Sequence, residues 1–293
     1  MKEPLVSCCV RTYNQCKYVK QCIDSILMQK TDFDYEIVVA DDCSSDGTAE
    51  ILKEYQKNNG GKIRLLLDEH VGGTENLKRV IEASSAKYIA LCDGDDYWTD
   101  PYKLQKQIDI LEANPQMAGC FCNVLNRYEN STAKPNYFLP IDFPTINTWE
   151  DVVRKKWFMP INGEVFVREY VSFPEWYGKV MNDDYVMNLM IVRHGDFYYM
   201  PDVMAVYRHN EGSESNQYVD LVLINDNLKM ILENTKSLYP EECASVFDET
   251  IDYYKALLKK CKRLQRHPWL VYLDWRFYKR AVFKALKIRR VTE

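Results

Sequence analysis

The stretch Tyr88-Ile89-Ala90-Leu91-Cys92-Asp93-Gly94-Asp95-Asp96-Tyr97-Trp98 drives five apolar residues straight into three carboxylates within four positions. A short apolar run that ends in a Gly-containing polar turn reads as a buried strand whose carboxyl end opens into an acidic loop. Carboxylates packed this closely repel one another, and a divalent cation such as Mg2+ or Mn2+ is the usual compensation. Capping of the next helix accounts for Asp96 and Asp100 but not for the Asp93-Gly94-Asp95 cluster.

Upstream of that stretch, apolar runs alternate with amphipathic segments. Strands are predicted over residues 5–10, 35–40, 62–67 and 87–92, with helices over 17–29, 49–56 and 74–84 between them. Such β-α repeats predict a mostly parallel, doubly wound α/β sheet with right-handed crossovers. Ligands of such sheets lie beyond the carboxyl ends of the strands, in the loops that begin near Arg11, Asp41, Asp68 and Asp93. Three of those four loops are acidic, which suits a divalent cation together with a phosphorylated ligand. No Gly-x-Gly-x-x-Gly follows the first strand and no Gly-x-x-x-x-Gly-Lys-Ser/Thr occurs, so a dinucleotide fold of the usual type and a P-loop are disfavoured.

Downstream, Asp100-Pro101 opens a helix over 102–112, and 117–124 is a further strand. Residues 128–148 read as a long loop. Short elements alternate irregularly from 149 to 207, and residues 221–238 and 241–273 look helical. The division expected is a domain over 1–216, with halves of about 1–120 and 121–216, followed by a helical extension over 217–293.

The net charge of −5 over 293 residues hides two unlike parts. Residues 255–293 hold 13 Lys and Arg against 2 Asp and Glu, whereas residues 1–254 carry a net −16. An acidic body excludes nucleic-acid binding over the whole surface, and no nucleic-acid module is recognisable. No apolar stretch reaches the roughly 18 residues of a membrane-spanning helix, and the first residues show no signal-peptide pattern, so a cytoplasmic location is expected. The ten cysteines form no Cys-x-x-Cys pair and read as buried reduced thiols.

Three segments in order, Val6-Ser7-Cys8-Cys9-Val10-Arg11-Thr12-Tyr13-Asn14, Val39-Ala40-Asp41-Asp42-Cys43-Ser44-Ser45-Asp46-Gly47-Thr48 and Asp93-Gly94-Asp95-Asp96, resemble the successive motifs of family 2 glycosyltransferases. The resemblance runs over about residues 4–216. It implies the GT-A fold, a Rossmann-like, mostly parallel sheet flanked by helices, and inverting transfer of a sugar from a UDP- or GDP-sugar to a hydroxyl of a glycan or lipid-linked acceptor. It further implies that Thr12 and Tyr13 line the base pocket, Asp42 accepts a hydrogen bond from the base, Asp93 lies near the ribose and Asp95 holds Mn2+ or Mg2+ at the diphosphate. Arg11 departs from the proline common at its position; a cation there reaches a phosphate or pairs with Asp41 or Asp42.

An inverting transfer needs a carboxylate on the acceptor side to take the hydroxyl proton. The resemblance gives that role to Asp184 in Val180-Met181-Asn182-Asp183-Asp184-Tyr185, with Asp183 in reserve and helix capping as the structural alternative. Arg208 matches a donor to the diphosphate. A histidine common in relatives falls at Asn210 here, which leaves His209 as the weaker metal ligand, while His70, His194 and His267 read as surface or packing residues. Two other classes fit less well: a nucleotidyltransferase, which would open on a glycine-rich phosphate loop, and a non-catalytic nucleotide-sugar-binding module. The basic, aromatic residues of 255–293 suit either peripheral contact with an anionic membrane or an amphipathic helix packed with a solvated basic edge.

Overall fold

The computed structural model describes residues 3–67, 69–129, 131–210 and 220–266. The first four strands are β1 (Val6–Thr12), β2 (Tyr35–Asp41), β3 (Ile63–Leu66) and β4 (Tyr88–Asp93), joined by α1 (Val19–Leu27), α2 (Thr48–Asn58) and α3 (Gly73–Ala83). All pair in parallel, with β1 between β2 and β4. Their apolar runs are continuous because both faces are covered. Cys8, Val10, Ile37 and Ala90 share a cluster with Val19, Ile23 and Ile26 of α1, and the Cys9 thiol lies 3.7 Å from the Val80 carbonyl of α3. Burying an isoleucine such as Ile23 fully stabilises by about 1.5–3 kcal/mol.

Beyond β4 the sheet becomes mixed. A short β5 (Tyr97–Trp98) and α4 (Lys103–Ala113) precede β6 (Met117–Tyr128), and the strand order is β3-β2-β1-β4-β9-β6-β10-β5. In it β9 (Glu164–Val167) runs antiparallel to both β4 and β6, while β10 (Asp196–His209) runs parallel to β6. Residues 128–148, expected as loop, contain β7 (Asn136–Tyr137) and β8 (Ile146–Asn147), which pair with β6 and β10. The 14-residue β10 was hidden in the sequence by Pro201, which falls where the register with β6 shifts between Met200 and Val203. Helix α6 (Asp183–Ile191) starts at the acid pair itself.

Of the described residues, those up to 149 together with 157–210 form one compact unit, and 150–156 with 220–266 form a second. In the second unit are α7 (Leu221–Lys236), whose first turn is capped by Asp220, and α8 (Ala244–Arg266). Leu228, Ile231 and Leu232 of α7 are buried, as are Phe247, Ile251 and Tyr254 of α8. From α5 (Trp149–Lys155), Arg154 reaches Glu249 at 2.9 Å. The detachment of 150–156 from the irregular segment around it has no signature in the sequence. Lys255 to Arg266 of the basic segment lie on α8, and its remainder, 267–293 with His267, lies outside the described residues.

Candidate active site

The strand order reverses between β1 and β4, because β2 and β3 extend the sheet to one side of β1 and β4 lies on the other. The carboxyl ends of β1, β2 and β4 bring Arg11 and Thr12, Asp41 and Asp42, and Asp93 to one edge at that switch point. Two loops there are tied together. Asn14, in the left-handed conformation at φ 51°, donates its N–H to Ser44 Oγ at 2.7 Å and accepts from Ser45 N–H at 2.9 Å. Asp46 takes the Cys16 and Thr48 N–H groups and the Thr48 hydroxyl, which hold its carboxyl down at about 2 against the opposing effect of its partial burial.

Tyr13 is 51% exposed beside these loops, with its ring centroid 5.4 Å from that of His70. Asp42 is buried, and its two oxygens accept from Val71 N–H at 2.6 Å and Gly72 N–H at 3.0 Å. His70 Nδ1 lies 2.9 Å from the same carboxylate. His70 is thus a member of the cluster that its isolation in the sequence did not reveal; its only signal was a position in the loop after the third strand. Thr12 Oγ1 and Gln15 Oε1 are buried without a hydrogen-bond partner among the described residues. A Cβ added at Gly94 would land on Gln15 Oε1 and 2.8 Å from Thr12 Cβ, so the acidic turn closes on the first loop only because residue 94 is glycine.

The three acids of that turn part company. Asp93 forms a forked pair with Arg11, Nε to Oδ1 at 2.7 Å and Nη2 to Oδ2 at 3.3 Å. Asp95 accepts from Asn210 Nδ2 at 2.8 Å, yet burial and then Asp93 push its carboxyl up to about 6. Asp96 does not cap a helix. It is fully buried, accepts the Arg208 N–H at 2.7 Å through Oδ1, and is raised well above the carboxylate range by burial first and by Asp95 second. Arg11 does not pair with Asp41 or Asp42: Asp93 is its partner across β4 and Ala40 its partner across β2, while Asp41 turns to Ser44.

Arg208 is buried and engaged, with Nε on the Asp95 carbonyl at 2.7 Å, Nη2 on Gln21 at 2.7 Å and its plane over the rings of Tyr18 and Tyr97. His209 does not reach this cluster. Arg208 near the end of β10 and Asn210 just past it both reach Asp95, whereas His209 between them stacks on Tyr128 at 4.5 Å and meets Asn126 Oδ1 at 3.1 Å. Burial lowers the tendency of His209 to take a proton. As for a divalent cation, Asp95 fits one: a partly buried carboxyl pressed upward by a second carboxylate is relieved by a hard cation with oxygen ligands.

Facing the acidic turn, the first turn of α6 presents Asp183 and Asp184. Asp183 Oδ2 lies 2.5 Å from Arg11 Nη1, and its Oδ1 accepts the Asp184 N–H at 2.8 Å. Asp184 accepts the Tyr185 N–H at 2.7 Å and is pushed up to about 7, by burial first and by Asp183 second. The sheet edge therefore gathers Thr12, Tyr13, Asp42, Asp93, Asp95, Asp183, Asp184 and Arg208 from distant parts of the chain, and it adds Arg11, His70 and Asn210.

Residues 7–160 match Glycosyl transferase family 2. An uncharacterized protein of Mycobacterium tuberculosis (strain ATCC 25618 / H37Rv) is 34% identical over 211 residues, which are 71% of this chain and 60% of the relative. The putative teichuronic acid biosynthesis glycosyltransferase TuaG of Bacillus subtilis (strain 168) is 33% identical over 109 residues, 37% of this chain and 42% of that one. The matched segments thus span about 60% or less of these relatives. Among solved structures, S. aureus TarS 1–349 in complex with UDP-GlcNAc gives a TM-score of 0.64 at 17% identity, covering 86% of this chain and 72% of that one. The mannosyltransferase PcManGT from Pyrobaculum calidifontis in complex with GDP-Man and Mn2+ gives 0.61 at 19%, covering 90% and 74%. At these identities the likeness establishes the GT-A fold.

Proposed function

The chain belongs to glycosyl transferase family 2, and from that membership we propose that it transfers a sugar, with inversion, from a UDP- or GDP-sugar to a hydroxyl of a glycan or lipid-linked acceptor. The observation that carries the reading is the meeting, at one switch point, of a donor-side carboxyl that suits a cation, Asp95, with an acceptor-side carboxyl, Asp184, raised by burial and by its neighbour. A base that is only weakly acidic holds a proton well near neutral pH, which is what general-base catalysis requires.

In this reading Tyr13 offers its exposed ring to the face of the base, and Asp42, already oriented by Val71 and Gly72, accepts an N–H of the base with a remaining lone pair. The Thr12 hydroxyl supplies an unspent hydrogen-bonding group to the same pocket. Asp93 takes a ribose hydroxyl while Arg11 balances its charge. Asp95 holds Mn2+ or Mg2+, which when bound neutralises charge developing on the diphosphate leaving group. Arg208, which here supports the Asp95 backbone, reaches a phosphate oxygen by giving up Gln21. Asp184 takes the acceptor's proton as its oxygen bonds to C1 and the C1–O bond to the diphosphate breaks. Transfer at the cytoplasmic face of a membrane, with the basic residues of 255–293 near anionic lipid, completes the proposal on charge alone. A screen of nucleotide sugars with Mn2+ or Mg2+, read as nucleoside diphosphate released, tests it; release of pyrophosphate instead, or binding without turnover on any acceptor, overturns it.

A further inference from the structure

Arg11 ends β1 at the switch point, and its guanidinium spans two carboxylates 82 and 172 positions away in the chain. The fork formed by Nε and Nη2 is spent on Asp93, and Nη1 lies 2.5 Å from Asp183 Oδ2. The Arg11 and Asp183 side chains are 18% and 10% exposed, so little water screens the pair. Asp183 has both oxygens engaged, one by Arg11 and one by the Asp184 N–H. Asp184, next in the same helical turn, accepts one N–H, that of Tyr185.

We propose that Arg11 is the positioning residue of the acid pair, tying Asp183 to Asp93 across the gap between the donor and acceptor sides so that Asp184 is the carboxylate presented to the acceptor hydroxyl. The proposal rests on the glycosyltransferase reading above. Two adjacent acids on one helical turn compete for charge, and the cation decides which of them keeps it. Only a planar guanidinium spans both partners at these distances; an ammonium is a point charge and serves one. The groups that face the pair are Arg11 from β1, Asp93 from the end of β4, Glu164 from β9, and Tyr177 from the turn before α6 with Glu75 of α3 behind it. Among the described residues Arg11 is the cation acting on the pair itself, while Lys103 acts on Glu164 behind it. Removing Arg11 leaves the pair holding a proton to higher pH.

The test compares the wild-type chain with Arg11→Gln, Arg11→Lys, Asp183→Asn and the Arg11→Gln/Asp183→Asn pair. Expected for Arg11→Gln is a kcat loss of about tenfold or more, larger than any rise in KM. The acid limb of its kcat profile should move up by about one pH unit, a limb that Arg11→Lys restores while recovering only part of kcat. In the Asp183→Asn background, Arg11→Gln should cost little further, because the bridge is already cut. Wild-type kcat and an unmoved limb in Arg11→Gln overturn the proposal, as do independent, multiplying losses in the double variant. Absence of turnover in the wild type counts against the transferase reading alone. The bridge is then judged by the Asp184 carboxyl carbon resonance, whose titration midpoint rises in Arg11→Gln if the proposal holds and stays put if it fails.

Discussion

Asp184 carries the sharpest expectations at the scale of the residue. Asp184→Asn removes the proton acceptor but not the donor pocket, so nucleotide-sugar turnover should fall by about 10²–10⁴ while calorimetric binding of the donor persists. A base works ionised, so kcat of the wild type should rise with pH through about 7 and then level. Stability moves the other way. A carboxyl raised on folding binds its proton more tightly in the folded chain, so its contribution is complete below the ordinary carboxylate range and is lost as pH climbs through about 6 for Asp95 and about 7 for Asp184. Urea midpoints of the metal-free chain should therefore fall from pH 5 to pH 8, and Asp184→Asn should stabilise the fold at pH 8 while it lowers turnover; an equal or lower midpoint in that variant contradicts the assignment. Gly94→Ala places a methyl against Thr12 and Gln15, and loss of nucleotide affinity is expected before loss of fold, checked by thermal shift with and without the nucleoside diphosphate.

Among the elements, the two latched loops after β1 and β2 form the floor of the proposed base pocket. Asp46 holds Cys16 of one loop to Thr48 of the other, so Asp46→Ala should weaken nucleoside diphosphate binding with little change in kcat at saturation. A kcat loss at unchanged affinity would place Asp46 elsewhere in the mechanism. Because hydrogen bonds hold the Asp46 carboxyl at about 2, the latch should persist down to that pH, well below the range in which exposed aspartates protonate. At the end of β10, Arg208 and, one residue past the strand, Asn210 reach Asp95 while His209 turns away from it. His209→Ala should accordingly leave Mn2+ affinity within about threefold, whereas Asn210→Ala frees Asp95 Oδ2 and should change it more, as measured by metal titration against bound nucleotide.

For the molecule as a whole, the charge asymmetry begins within one helix, since Lys255 to Arg266 of the basic segment lie on α8. A chain ending at Arg266 keeps the described part of that helix, so a vesicle flotation comparison with the full chain isolates residues 267–293; salt-sensitive binding to anionic vesicles that disappears in the shorter chain is the expected result. Among the described residues no helix is long and apolar enough to cross a membrane. The parallel half of the sheet was legible because strands buried on both faces, such as Val6 to Val10 and Tyr88 to Cys92, are continuous apolar runs, and their carboxyl ends announce themselves by acids and turn residues. β9 and β10 were obscured by Pro201 and by pairing partners far away in sequence. The same distance separates what was read from what was not within the site. Residue type and spacing singled out the Asp93-Gly94-Asp95 cluster, and the resemblance of the motifs to a known family added Asp42 and Asp184 as candidates. Only the folded chain decided their partners: Arg11 between Asp93 and Asp183, His70 on Asp42, Asn210 on Asp95, and Asp96 buried on the Arg208 N–H. Charge partners and burial are properties of neighbours in space, and a linear sequence carries no measure of either.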